Sequence, residues 1–137
     1  MSVNRRDMAK AVALGGAALL SGTAHAAAAA PASGTLRLVH HVFFWLQRPG
    51  SAADRDQLVA GLRTLAAIPV IRSLEVGVPA STESRDVVDA SFDVSELMVF
   101  DNVADQKIYQ DHPIHLEFVA ACQHLWRKVV VYDMITL

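Results

Sequence analysis

The chain has 137 residues, of which 53 % are hydrophobic, with 12 basic and 14 acidic side chains and a formal charge of −2. That length holds one domain with one modest core. The single cysteine, Cys122, excludes an intrachain disulfide, and its apolar surroundings make it a buried, inert thiol rather than a nucleophile.

The N-terminus reads as a targeting segment. Asn4-Arg5-Arg6-Asp7-Met8-Ala9-Lys10 has the form of a twin-arginine export motif, followed by the weakly apolar run Ala11–Leu20 and by Ala24-His25-Ala26, with small residues where a signal peptidase reads. The run is too short to span a bilayer, which needs about 20 apolar residues. Residues 1–26 are therefore expected to be a signal peptide, with no membrane insertion after cleavage, and residues 27–34 a flexible lead-in. The expected destination is the periplasm or the medium. Loss of Arg5, Arg6 and Lys10 together with Asp7 takes the formal charge from −2 to −4. An acidic domain with no basic run denser than Arg127-Lys128 is a poor partner for nucleic acid.

Residues 35–137 form the expected domain. Leu36–Leu46, rich in β-branched and aromatic residues, predicts a strand whose Leu36, Leu38, Val42 and Phe44 point one way and Val39, Phe43 and Trp45 the other. Both faces are apolar, so both need cover. The neighbours His40 and His41 must lie on opposite faces. Arg48-Pro49-Gly50 predicts a turn and Ser51 a helix cap, before a stripe of Leu58, Leu62 and Leu65 that ends at Pro69. Ile71–Val78 predicts a second strand, Ala80–Asp89 a polar loop, and Ser91–Phe100 a third strand. Asp101-Asn102 caps a helix over Val103–Asp111, Pro113 opens another to about Leu125, and Arg127–Ile135 closes the domain as a strand.

The order β-α-β-β-α-α-β predicts a ferredoxin-like α+β unit: a four-stranded antiparallel sheet with helices on one face. The helices cannot cover the second apolar face. A second copy of the chain can, so a homodimer with sheets face to face is expected.

Chemistry concentrates in Tyr109-Gln110-Asp111-His112-Pro113-Ile114-His115. Pro113 places His115 in the first turn of a helix, where the positive end of the dipole disfavours imidazolium and leaves a neutral base. Tyr109 offers a hydroxyl able to donate to a carbonyl or enolate oxygen. The structural reading of His115 is an imidazole bonded to a backbone carbonyl, locking the helix start. His112 and His115 are three residues apart, but no third ligand accompanies them, so no metal is expected. No phosphate-cradling glycine loop, nucleophile elbow or cysteine pair is present, and no cofactor is expected. Haem remains a fold-level analogy only.

The segments His41-Val42-Phe43-Phe44, Arg48-Pro49-Gly50-Ser51, Gly77, Met98-Val99-Phe100-Asp101, Tyr109…His112-Pro113-Ile114-His115…Phe118 and Val129-Val130-Val131-Tyr132-Asp133 together resemble the stress-responsive dimeric α/β-barrel (Dabb) family over about Leu36–Leu137. The resemblance implies a dimeric α+β barrel with a cleft in each subunit. Most members have no assigned reaction; one plant member closes a linear polyketide by an aldol-type step. Its histidine base falls on His115 and its tyrosine on Tyr109, whereas Val94 replaces a strand histidine. His41 and His112 fall on histidines common in the family and are expected to line the pocket. Two functions follow as expectations: a dimer that binds an apolar small molecule or resists stress without catalysis, or a cofactor-independent cyclase or lyase acting on a carbonyl compound through His115 and Tyr109.

Overall fold

The computed structural model describes residues 36–137; the signal peptide and lead-in expected over residues 1–34 lie outside the described residues. The chain runs β1 (Leu38–Leu46), α1 (Ala52–Thr64), β2 (Ser73–Gly77), β3 (Val94–Phe100), α2 (Val103–Asp111), α3 (Pro113–Cys122) and β4 (Trp126–Ile135), with single 3₁₀ turns after α1 and α3. The strands form one antiparallel sheet in the order β2-β3-β1-β4. This is the ferredoxin-like α+β fold.

Local chemistry fixes the joints. Ser51 N–H donates to the Arg48 carbonyl at 3.0 Å, and Gly50 takes the left-handed φ of 76° that the turn after Pro49 requires. Ser51 then caps α1 by accepting from Asp54 N–H at 3.2 Å. Asp54 in turn accepts from Arg48 Nε at 2.7 Å, tying the turn to the first turn of α1; that bond holds its carboxyl below the usual range. Asn102 caps α2 through Asp105 N–H at 2.8 Å.

Register assigns every strand residue to a face. Leu38, His40, Val42 and Phe44 of β1 share the helix-covered face with Val94, Glu96, Met98 and Phe100 of β3 and with Val129, Val131, Asp133 and Ile135 of β4. Against this face α1 packs Leu58 and Leu62, followed by Leu65 and Ile68, while α2 and α3 add Tyr109, Phe118 and Cys122. Helices α1 and α3 approach closely at Gly61: a Cβ there would lie 2.6 Å from Cys122 Sγ and 3.2 Å from the Phe118 ring.

The opposite face carries Val39, His41, Phe43, Leu97, Val99, Val130, Tyr132 and Met134, and among the described residues no helix lies over it. The β2–β3 loop covers its upper end, where Phe92 meets Phe43 edge-on with centroids 4.9 Å apart and Ser91 Oγ accepts from Trp45 Nε1 at 3.1 Å. The lower end stays open, with Tyr132 65 % and Met134 58 % exposed. Among the described residues, no helix is long and apolar enough to cross a membrane.

Candidate functional site

A cleft of about 180 Å³ opens between the helices and the edge strand β4. Its existence follows from the topology. The helices lie toward the β2 side of the sheet, so Val129 and Val131 keep 38 % and 45 % of their surface exposed on the same face as the core. Val42 and Phe44 form the floor, and Phe118, Val119 and Trp126 close one side. The polar residues that line the cleft are His40, Glu96, Tyr109, Gln110 and His115. A depression of about 280 Å³ at the Gly50 turn is larger, but its carboxylate, Asp93, is already engaged by Leu46 N–H at 2.8 Å and Gly50 N–H at 3.4 Å.

His115 and Tyr109 come together as the sequence reading expects. The ring centroids are 4.6 Å apart. Tyr109, in the last turn of α2, is 1 % exposed; burial and then the nearby Glu96 carboxyl push its phenol upward, so it stays a hydroxyl donor. His115 is 8 % exposed at the third position of α3. Its Nδ1 lies 2.9 Å from the Gln110 carbonyl, which can only accept. Nδ1 therefore carries the proton, and the neutral ring keeps its lone pair on Nε2. Burial lowers the His115 pKa, outweighing the carbonyl bond that raises it, and His40 lowers it further.

His112 has another task. As the residue before Pro113 it is extended (φ −68°, ψ 138°), and its Nδ1 accepts from Ile114 N–H at 3.2 Å, capping α3. It does not line the cleft. The expectation that His41 lines the pocket is also corrected: His41 stands on the other face of β1, its ring 4.2 Å from Phe43 and its strand partners Leu97 and Tyr132. Strand alternation is the reason, because Leu38, Val42 and Phe44 carry His40 with them to the cleft face. His40 is 5 % exposed, packs edge-on to Tyr109 at 5.8 Å and donates from Nδ1 to Asp133 Oδ1 at 2.6 Å.

Sequence reasoning missed Glu96. It is 2 % exposed, and its Oε2 is the one buried side-chain nitrogen or oxygen without a hydrogen-bond partner among the described residues. Its strand partners are Val42 and Val76. Burial raises its pKa from an ordinary 4.5 to about 8. The signal was present in Phe92, Val94, Met98 and Phe100, an alternation whose missing apolar member is position 96. Among the described residues, no three His, Cys, Asp or Glu side chains gather as a metal site.

Comparison with known proteins places these features in a family. The family model described as the stress responsive A/B barrel domain matches residues 38–136. A stress-response A/B barrel domain-containing protein of Arabidopsis thaliana is 32 % identical over 79 residues, covering 57 % of this chain and 69 % of that one. Among solved structures, a hydroxynitrile lyase from Passiflora edulis is 25 % identical with a TM-score of 0.64, covering 76 % of this chain and 96 % of its own. A dimeric ferredoxin-like protein of unknown function from Thermobifida fusca is 20 % identical with a TM-score of 0.60, covering 74 % and 92 %.

Proposed function

Because the chain belongs to the stress responsive A/B barrel domain family, we propose that it acts as an exported homodimer holding one small, largely apolar molecule in the cleft of each subunit. The observation that carries this reading is the cleft itself: aliphatic and aromatic walls converge on a few buried polar groups, the usual composition of a small-molecule site. Its volume of about 180 Å³ suits a molecule near the size of a substituted benzene, since an apolar cavity of about 150 Å³ binds benzene.

The dimer reading rests on the helix-free apolar face, which leaves Tyr132 and Met134 on the surface of an isolated subunit; the Thermobifida protein is a dimer of the same fold. The export reading rests on Arg5-Arg6 and the Ala24-His25-Ala26 site. Replacing both arginines by lysine is expected to retain the precursor in the cytoplasm. The direct test of the ligand reading is native mass spectrometry of protein purified from the periplasm of its own host. A dimer carrying a small adduct is expected. A bare dimer counts against a resident ligand, and a bare monomer against the paired sheets.

A second reading has its own support: His115 is fixed by one backbone bond at Nδ1 while Nε2 remains a free base beside a phenol donor. In that reading Nε2 removes a proton alpha to a carbonyl and Tyr109 O–H stabilises the resulting enolate oxygen. The Passiflora neighbour is a lyase. Deuterium exchange at the methyl group of acetophenone tests it. Exchange above buffer that vanishes in His115→Ala supports this chemistry; exchange no faster than in buffer overturns it and leaves the binding role.

A further inference from the structure

Glu96 is out of place in a merely structural sheet. On its row across the sheet stand Val76, Val42 and Val131, and its Oε2 has no partner. A buried carboxyl among valines is costly unless something hydrogen-bonds or charges against it, and nothing among the described residues does so. The titratable groups turned toward it are Tyr109 from α2, His115 from α3 and His40 from β1; α1 and β2 contribute none to the cleft. Among the described residues, neither lysine nor arginine lines this space. An anionic ligand would therefore meet a carboxyl and no cation. The aromatic rings of Phe44, Tyr109, Phe118 and Trp126 border the same space, and the faces of such rings attract cations.

We infer that Glu96 is the polar anchor of the cleft and that the molecule held there carries a basic amine, whose N–H groups reach the unpartnered Oε2. The ammonium supplies the charge the carboxylate lacks, and its aryl or alkyl body covers the valine and aromatic walls. The free carboxyl, with its pKa raised to about 8, is mostly protonated at pH 7. An incoming ammonium displaces that proton to solvent and leaves a carboxylate–ammonium pair. This inference rests on the ligand-binding reading of the cleft and adds the ligand's head group.

The test is calorimetric titration of the full mature protein with benzylamine and with its neutral isostere, benzyl alcohol. Benzylamine is expected to bind at least tenfold more tightly at pH 8, to release close to one proton at pH 7, and to gain about tenfold in affinity between pH 6 and 7. Glu96→Gln is expected to abolish that preference, so that the two probes bind alike. In the unmutated protein, the ¹³C carboxyl signal of Glu96 should titrate at lower pH once benzylamine is bound, which frees the conclusion from the variant's folding. Equal binding of the two probes, or benzylamine binding that survives Glu96→Gln, overturns the amine assignment and keeps the ligand cleft. Failure of both probes to bind overturns both.

Discussion

Replacing Glu96 by glutamine makes the sharpest quantitative demand on this structure. The folded carboxyl titrates near 8, whereas the unfolded chain returns it to about 4.5. Between those values the folded state holds a proton that the unfolded state has released, so stability falls as pH rises through the window. The difference of about 3.5 in pKa, at about 1.36 kcal/mol each, amounts to about 5 kcal/mol across the full range. That is a large part of the 5–15 kcal/mol typical of a domain. Glutamine keeps the shape and carries no charge at any pH. Its stability relative to the parent should therefore be near zero at pH 4 and climb steadily to about 5 kcal/mol at pH 9. Urea denaturation of both proteins at matched concentration and at pH 4, 6, 7.5 and 9 reads this directly. A gap that stays constant with pH would show that the Glu96 carboxyl is solvated or paired, and would refute the reasoning.

Other side chains give independent checks. Gly61→Ala should lower stability by about 1 kcal/mol, because overpacking against Cys122 outweighs the helix preference for alanine, and adding Cys122→Ala should recover most of that loss. His112→Ala should cost about 1 kcal/mol in thermal or urea unfolding without changing cleft affinity, with His112→Ser restoring the cap; reduced affinity at full stability would move His112 into the site. Leu97→Arg, on the helix-free face beside His41 and Glu75, should dissociate the proposed dimer, since about 3 kcal/mol of buried charge is more than a 100-fold loss in affinity. Light scattering at micromolar concentration checks this, and an unchanged dimer mass would place the interface elsewhere.

The fold was legible because its signals are local and redundant. Pro49-Gly50-Ser51 encodes a turn and a cap within three residues, and Val103–Asp111 is bounded by Asn102 and by the extended residue before Pro113. The strands and the second helix begin or end within a few residues of where periodicity sets them; Asp93 N–H donates to the Phe44 carbonyl just before β3 begins, whereas Ser91 and Phe92 fold back over the outer face. Tyr109 and His115 could be paired because one proline fixes both the end of α2 and the start of α3. His41 was expected in the pocket through family resemblance alone, whereas strand alternation puts His41 on the outer face and His40 with Leu38, Val42 and Phe44 on the inner one. Glu96 is a polar residue in the inward register of an apolar strand. Glu96 is also invisible to any motif, since its meaning comes from the absence of a partner. That absence depends on how far the helices stand from β4, which no local stretch of sequence encodes.

A methyl-resolved NMR titration of the protein with benzylamine reads occupancy of the cleft residue by residue. The valine methyls of Val42, Val119, Val129 and Val131 border the cleft, whereas those of Val39, Val99 and Val130 lie on the helix-free face. Saturable shifts confined to the first group are predicted, weakened by Glu96→Gln. Shifts confined to the second group would contradict the assignment of this cleft as the functional site, and none at concentrations well above a millimolar would contradict its occupation by an amine.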